Sequence, residues 1–208
     1  MYVAPLNQQT DQQAIKKYVD DHGFATLVSS CHDEIATTHT PLVFTHRDGR
    51  PLIHGHIARA NGQTAHIQKG CRATAIFMDA HTYISSSWYD HVNVPTWNYL
   101  AVHMQGRLQA LDDEATVASL HELVGQYEGH DGSGFHISQM THSDLRAHLR
   151  GLQGFVMEVE HIEASWKLSQ NRDDHNHATI VAKLIERGDE LSLAIAREME
   201  KWRQDHQK

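Results

Sequence analysis

The sequence predicts an α+β fold, mainly β in its core, in which a small closed or partly closed antiparallel barrel carries peripheral and C-terminal helices. About six strand-like runs, rich in β-branched and aromatic residues, follow one another instead of alternating with helices. Most of the helical periodicity lies in a short N-terminal segment and in runs after the main group of strands. A Rossmann or P-loop fold is disfavoured because neither glycine-rich fingerprint is present.

The first half of the chain predicts one helix and a three-stranded meander. Apolar residues recur at helical spacing over residues 10–22, where Thr10 or Asp11 can cap the start and Gly23 can end the helix. Strands are expected at 24–30, 34–44 and 51–57, with a turn-forming segment at 46–50 between the last two.

The rest of the chain completes the barrel and adds helices. A brief helix is expected at 61–69, a strand at 72–78, an extended segment at 81–89 and a long strand at 97–111. A helix capped by Asp112 or Asp113 follows, then a loop at 128–134, a helix at 138–149, a last strand around 155–159, and helices at 174–186 and 189–202 split at Gly188. We predict one domain over residues 1–208, with residues 173–208 forming a helical hairpin packed on it.

Composition restricts the class of protein. The chain has 208 residues, 40% hydrophobic and 21% charged, and a net charge of −8, so a broadly basic surface for nucleic acid is disfavoured. No apolar run approaches the roughly 20 residues that span a bilayer, and the N-terminus lacks the order of a secretory signal. We therefore expect a cytoplasmic protein without a membrane partner.

Cysteine and histidine give weak site signals. Cys31 and Cys71 lie in apolar, strand-like surroundings without CxxC or zinc-finger spacing, which predicts two buried thiols instead of a disulfide or a structural zinc site. His54 and His56 lie two residues apart on one strand, about 6.6 Å at ~3.3 Å per residue, but no third ligand is identifiable. No metal site is predicted.

One segment has the features of a phosphate site. The run GHIARAN at 55–61 ends a strand and enters a short helix, so Arg59, Asn61 and backbone N–H groups converge. The alternative is an ordinary solvated arginine at a strand end.

Two further segments could contact an organic ligand. The run SSSWYDHVNVPTWNY at 85–99 combines aromatic rings with hydrogen-bonding groups, which suits a flat heteroaromatic ligand, a barrel closure or a dimer contact. The run WKLSQNR at 166–172 presents many donors after the last strand, which suits an anionic or carbonyl-rich ligand or the cap of the next helix.

These segments together carry a family resemblance. GHIARAN, VPTWNYLAVHMQGRL and WKLSQNR, with MYVAPL at the start and THTPLVF at 38–44, resemble the PaiB-type FMN-binding negative transcriptional regulators, in order over nearly the whole chain. The resemblance implies a split β-barrel of the pyridoxamine-phosphate-oxidase type and a homodimer with FMN at each subunit interface. The family pattern has proline where Gly62 and Ser86 stand here, which loosens the backbone without removing a donor.

The resemblance also implies roles for particular residues. The FMN phosphate would be held by Arg59, through a bidentate contact, and by Asn61 and His56. The same pocket would be lined by His39 and Thr40. The residues expected to approach the ring or close the site are Trp97, Asn98, Tyr99, Lys167, Gln170, Asn171 and Arg172. No catalytic residue is predicted.

Two functions remain open, with haem binding a less favoured third. The first is a flavin-binding regulator, in which direct DNA binding is disfavoured because residues 173–190 carry five acids against two bases. The second is an FMN-dependent oxidoreductase or flavin reductase, in which the isoalloxazine would supply the chemistry. No acid–base pair or nucleophilic triad in the sequence requires an enzyme.

Overall fold

A computed structural model describes residues 1–129 and 134–206 of the chain. Most of the loop predicted over 128–134 lies at 130–133, outside the described residues. The described residues form α1 (Gln12–Asp21), β1 (Phe24–Cys31), β2 (Glu34–Arg47), β3 (Arg50–Ala58), α2 (Thr64–Gln68), β4 (Arg72–Ile84), β5 (Thr96–Ala110), α3 (Asp113–Glu128), α4 (His142–Leu149), β6 (Leu152–Lys167), α5 (Asp174–Arg187) and α6 (Glu190–His206).

The six strands form a closed barrel in the order β1-β2-β3-β6-β5-β4. β1 pairs antiparallel with β2 and β4, and β3 pairs antiparallel with β2 and β6. The predicted α+β fold class, a split β-barrel with appended helices, is confirmed, and so is the meander of β1 to β3.

Contacts divide the chain into two compact units. The first unit comprises residues 12–77 and 103–162, and the second comprises residues 1–11, 78–102 and 163–208. The prediction of a single domain over 1–208 stays a prediction. No helix of residues 1–129 or 134–206 is long and apolar enough to cross a membrane.

Alternation of apolar side chains builds the core of the first unit. Leu27, Leu42, Ile53, Phe77 and Phe155 come from five different strands, and each is fully buried. In β1 and β3 the neighbours of these residues are more exposed, as a sheet with one buried face requires, whereas in β2 and β6 the neighbours Val43 and Gly154 are buried as well.

Helix α3 packs closely against the outward face of the first unit's sheet at one point. A Cβ atom added to Gly154 of β6 would stand 2.2 Å from the hydroxyl oxygen of Thr116. The Asp112 side chain caps α3 by accepting a hydrogen bond from the Ala115 N–H at 2.8 Å, as predicted for Asp112 or Asp113.

In the second unit, α5 and α6 form the C-terminal hairpin at nearly the predicted bounds. The Asp173 side chain caps α5 through the Asn176 N–H at 2.9 Å. Gly188 ends α5 with φ of +74°, in the left-handed region that glycine adopts without strain.

The structure corrects several predicted bounds. The last strand, predicted around 155–159, extends over Leu152–Lys167. Residues 72–84 form one strand. The buried positions in its first half have odd numbers (Ala73, Ala75 and Phe77), whereas those in its second half have even numbers (Ala80, Thr82 and Ile84). Two adjacent outward residues, Met78 and Asp79, cause this shift, as in a β-bulge. The helix predicted over 138–149 begins only at His142, where the Thr141 hydroxyl accepts from the Asp144 N–H at 3.2 Å.

The prediction of two free thiols is wrong. Cys31 and Cys71 form a disulfide, with their Cα atoms 5.4 Å apart. β1 and β4 are antiparallel neighbours with Ser30 opposite Arg72, so the end of one strand lies beside the start of the other. That pairing brings two cysteines together that are 40 positions apart in sequence.

Candidate functional site

The turn after β3 holds the residues predicted to bind phosphate. Arg59 is exposed, yet its guanidinium is partly engaged: Nε donates to the Arg150 carbonyl at 3.1 Å, and Nη2 donates to the Leu152 carbonyl at 2.6 Å. The Arg59 N–H also donates to the Gly151 carbonyl at 2.8 Å. Arg59 therefore fastens its own turn to the connection between α4 and β6.

This geometry leaves one edge of the guanidinium open. Nη1 of Arg59 donates to no group within residues 1–129 and 134–206. The backbone N–H groups of Ala60 and Gly62 also lack an acceptor in that part of the chain. A Cβ atom on Gly62 would have no neighbour within 4 Å, so the turn faces open space.

Asn61 shapes the turn from within. Its amide nitrogen donates to the Thr38 hydroxyl on β2 at 2.9 Å, and its amide oxygen accepts from the Gln63 N–H at 2.9 Å. The second contact is an Asx turn, which bends the chain into α2. Asn61 thus ties the turn to β2 and holds it in the conformation that exposes the free N–H groups.

The other three residues predicted on this side lie on β2 and β3. Thr40 is buried, and its hydroxyl donates to the His56 carbonyl at 2.7 Å. His56 is half-buried, and burial lowers the pKa of its imidazole. His39 is exposed, lies 3.0 Å from the Thr26 hydroxyl through Nδ1, and stacks on Phe24 with ring centroids 6.4 Å apart.

A buried polar network beneath the turn was not predicted. Gln63 is 1% exposed, and its amide nitrogen lies 2.8 Å from the Ser29 hydroxyl and 3.2 Å from each of the Leu27 and Ala36 carbonyls. Ser29 in turn contacts Nδ1 of the buried His66 at 2.8 Å. A glutamine directly after a glycine is typical of an exposed turn, so no sequence signal predicts this buried role.

The ring-side residues on β5 belong to the second unit and point to opposite faces. Trp97 is 52% exposed, with ring centroids 5.9 Å from His81 and 6.0 Å from Tyr83, and Tyr99 is partly exposed on the same face. Asn98 between them is fully buried; its amide contacts the Met199 sulfur at 3.4 Å and accepts from the Ser169 hydroxyl at 3.1 Å.

The residues predicted to close the site also lie in the second unit. Lys167 donates to the Thr96 hydroxyl at 2.6 Å, and burial lowers the pKa of its ammonium. Gln170 is buried and folds back on the chain, accepting from the Leu168 N–H at 2.8 Å and donating to the Trp166 carbonyl. Arg172 stacks over Tyr89 with its Cζ 5.0 Å from the ring centroid, and Asn171 is exposed.

The structure therefore sorts the predicted residues by availability. Trp97, Tyr99 and Asn171 present side chains to solvent, whereas Asn98 and Gln170 are buried and fully engaged. Within the first unit, the turn at 59–62 gathers the donors that a phosphate needs. No group of three metal-ligating side chains occurs among residues 1–129 and 134–206.

Comparison with known proteins shows the family to which the chain belongs. A family model described as "Putative FMN-binding domain" matches residues 1–161. The chain belongs to this family. The predicted resemblance to the PaiB type and the prediction of FMN as the cofactor are thereby confirmed. Over 184 residues the chain is also 34% identical to "Protease synthase and sporulation protein PAI 2" of Bacillus subtilis, covering 88% of this chain and 89% of that protein.

Solved structures share the fold of this FMN-binding family member at low sequence identity. The FAD and haem binding protein of Mycobacterium smegmatis superposes with a TM-score of 0.62 at 12% identity, covering 88% of this chain and 80% of that one. The flavocytochrome Anf3 of Azotobacter vinelandii superposes with a TM-score of 0.56 at 15% identity, covering 82% and 74%. At such identities the likeness establishes the fold.

Proposed function

We propose that this protein holds FMN by its phosphate at the turn over residues 59–62 and acts as a flavin-binding regulator of the PaiB type. The observation that carries the proposal is a set of donors that have no acceptor in the described part of the chain: Nη1 of Arg59 and the N–H groups of Ala60 and Gly62. A phosphate presents several acceptor oxygens and about two negative charges, which these groups complement. Asn61 supports the turn through Thr38 and Gln63, and His56 on β3 would also contact the phosphate.

The remaining site residues have proposed roles that follow from their exposure. In the second unit, Trp97 and Tyr99 are proposed to offer aromatic faces to the ring system, and Asn171 and Arg172 to offer polar groups to it, as the family resemblance implies. Asn98 and Gln170 act by positioning β5 and the segment after β6, since their own polar groups are engaged. When bound, FMN supplies reversible redox chemistry at its ring.

Comparison of FMN with riboflavin tests the phosphate site directly, because riboflavin lacks only the phosphate. Quenching of flavin fluorescence on titration with the protein gives both dissociation constants. FMN should bind at least about tenfold more tightly than riboflavin, since a charge-assisted contact contributes roughly 1.5–3 kcal/mol. Equal affinities would refute a phosphate site at this turn.

We propose that the protein is a homodimer, as the family resemblance implies. Phe24 and Ile35 are 71% and 75% exposed on the outward face shared by β1 and β2, which provides apolar surface for a second subunit. Light scattering should give twice the mass of one chain. A monomer at micromolar concentration, in the presence of FMN, would contradict this assignment.

We infer that α5, the first helix of the C-terminal hairpin, does not bind DNA phosphates. Its two bases between 173 and 190 are engaged within the second unit: Lys183 pairs with Glu186 at 2.6 Å, and Arg187 donates to the Thr82 hydroxyl at 2.8 Å while its Cζ lies 4.7 Å from the Trp88 ring centroid. Fluorescence anisotropy with a duplex in 50 mM salt should show no binding. Salt-sensitive binding that weakens on Lys183→Gln would overturn the inference.

A further inference from the structure

A cavity of about 510 Å³ lies between α3 and the outward face of the first unit's sheet. α3 lines it with Ala115, Ala118, Ser119 and Glu122, spaced so that they share one face of the helix. A helix that packs on a sheet usually fills this interface with bulky apolar side chains. Small residues here leave a space of the size that small-molecule ligands occupy.

Two polar side chains that line the cavity, those of Ser119 and His54, have no hydrogen-bond partner in the described part of the chain. Ser119 is only 8% exposed, and its hydroxyl forms no hydrogen bond within the described residues. His54 is half-buried beside it, and neither of its ring nitrogens has a hydrogen-bond partner among the same residues. Burial first, and Arg47 second, lower the pKa of His54, so its imidazole is neutral near pH 7. Leu52 and Val156 supply the apolar surface around these groups.

The charges that line the cavity are of both signs. Arg47 and Glu122 form no ion pair within the described residues, and they shift the pKa of His54 in opposite directions, so both lie near the same imidazole. Glu158, which also lines the cavity, is partnered by Arg50 at 3.4 Å. One cation and one anion therefore remain available beside an apolar surface.

We propose that this cavity binds an α-amino acid with an apolar side chain, its carboxylate on Arg47, its ammonium on Glu122 and its side chain against Leu52 and Val156. The Ser119 hydroxyl and the His54 imidazole complete the hydrogen bonds of the ligand. A zwitterion matches the two free charges, whereas an amine or an acid alone would leave one of them unpaired next to the ligand.

This site is distinct from the proposed FMN site. It uses the end of β2, the first half of β3 and α3, whereas the phosphate turn follows the last residue of β3. None of the residues predicted to hold FMN lines the cavity. Binding here would give the protein a second ligand besides FMN.

Calorimetry on the FMN-loaded protein with three probes of nearly equal size tests the proposal. L-phenylalanine should bind with a Kd of roughly 1 mM or below. 2-Phenylethylamine lacks the carboxylate and 3-phenylpropionate lacks the ammonium, so each should bind at least about tenfold more weakly. The proposal would be overturned if L-phenylalanine at about ten times this expected Kd released no heat, or if the three probes bound with equal Kd values.

Variants place the binding in this cavity. Glu122→Gln should weaken L-phenylalanine about tenfold while leaving 3-phenylpropionate unchanged, and Glu114→Gln, on an exposed part of α3, is the matched control. Ser119→Leu should abolish binding by filling the cavity. Ala118→Leu, at an exposed position, gives the same test should Ser119→Leu fail to fold. Unchanged binding in Ala118→Leu and in Glu122→Gln would place any observed binding elsewhere and refute the assignment.

Discussion

Arg59 makes two kinds of contact at the turn after β3. Nε and Nη2 hold the backbone carbonyls that precede and begin β6, and Nη1 faces outward. The sequence predicts Arg59 as a bidentate phosphate ligand; the structure leaves a single nitrogen for that purpose and adds backbone N–H groups as partners. Loss of this side chain should therefore affect both ligand affinity and local stability.

Arg59→Ala should weaken FMN binding by one to two powers of ten, because it removes a charge-assisted contact of roughly 1.5–3 kcal/mol. Riboflavin binding should change much less, so the FMN-to-riboflavin affinity ratio should fall. Fluorescence titration measures both. The control is Arg107→Ala, because Arg107 is an exposed residue of β5 whose side chain forms no hydrogen bond within the described residues. An unchanged ratio in Arg59→Ala would remove Arg59 from the phosphate site.

Trp97→Ala should reduce the quenching of bound flavin fluorescence and weaken FMN while leaving the fold intact. The reason is that Trp97 is 52% exposed and contacts only His81 and Tyr83 among aromatic side chains of the described residues. Fluorescence and circular dichroism check the two parts. Loss of the native spectrum would instead assign Trp97 to the core.

The sequence predicts which polar residues lie near the turn better than it predicts which of them are buried. Arg59 and Asn61 are predicted to hold a phosphate because charged and amide side chains follow a strand and precede a helix and because the segment resembles the family pattern; this role stays a prediction. The buried contact of Gln63 with Ser29 is not predicted, since a glutamine in a turn gives no sign that its side chain folds inward onto β1. Asn98 shows the converse: strand alternation places it on the face opposite Trp97 and Tyr99.

The position of the start of α3 against the sheet depends on one close contact with β6. Gly154 allows Thr116 to approach the strand, and Thr116 also donates to the Asp112 carbonyl at 2.6 Å. A side chain at position 154 would push the start of α3 away from the sheet.

Gly154→Ala should lower the free energy of unfolding by about 1–3 kcal/mol, the usual cost of overpacking. Urea denaturation of the apoprotein measures it. Gly62→Ala is the matched control, because a Cβ atom there meets nothing within 4 Å, and it should change stability by less than about 0.5 kcal/mol. Equal effects of the two substitutions would show that the contact with Thr116 is not limiting.

Element boundaries were predictable where caps and periodicity agree. Gly188 and Asp173 define α5 in the sequence and in the structure alike. The sequence predicts β4 as two segments, because two adjacent outward residues, Met78 and Asp79, interrupt its alternation. An interrupted alternation of period two indicates the end of a strand.

For the whole molecule, buried histidines should make stability depend on pH. Burial lowers the pKa of His54, His56 and His177 below the reference value of 6.5, so the unfolded chain binds more protons than the native chain below that pH. Stability should be fully present above pH 6.5 and should fall as the pH drops through the lowered native values.

Thermal melting from pH 7.5 to 5 checks this dependence. His56→Gln should reduce the decline in Tm over this range, and His121→Gln, at an exposed position, should leave it unchanged. A Tm that rises as the pH falls from 6.5 to 5.5 would contradict the assignment.

The pairing of cysteines and strands that lie far apart in the chain could not be predicted from the sequence. Cys31 and Cys71 carry no motif, and only the antiparallel contact of β1 with β4 reveals that they are neighbours. Disulfides are uncommon in cytosolic proteins, so this pairing does not support the cytoplasmic location, which stays a prediction. The order of strands was predictable for the meander, because short turns join β1 to β2 and β2 to β3, but not for the closure through β6, β5 and β4.

FMN binding by this chain is tested by the visible absorption spectrum of the protein after incubation with FMN and removal of the excess, with the released cofactor identified by mass. We expect an oxidised-flavin spectrum with about one FMN per chain. A colourless protein, or a Soret band in place of flavin absorption, would refute FMN binding.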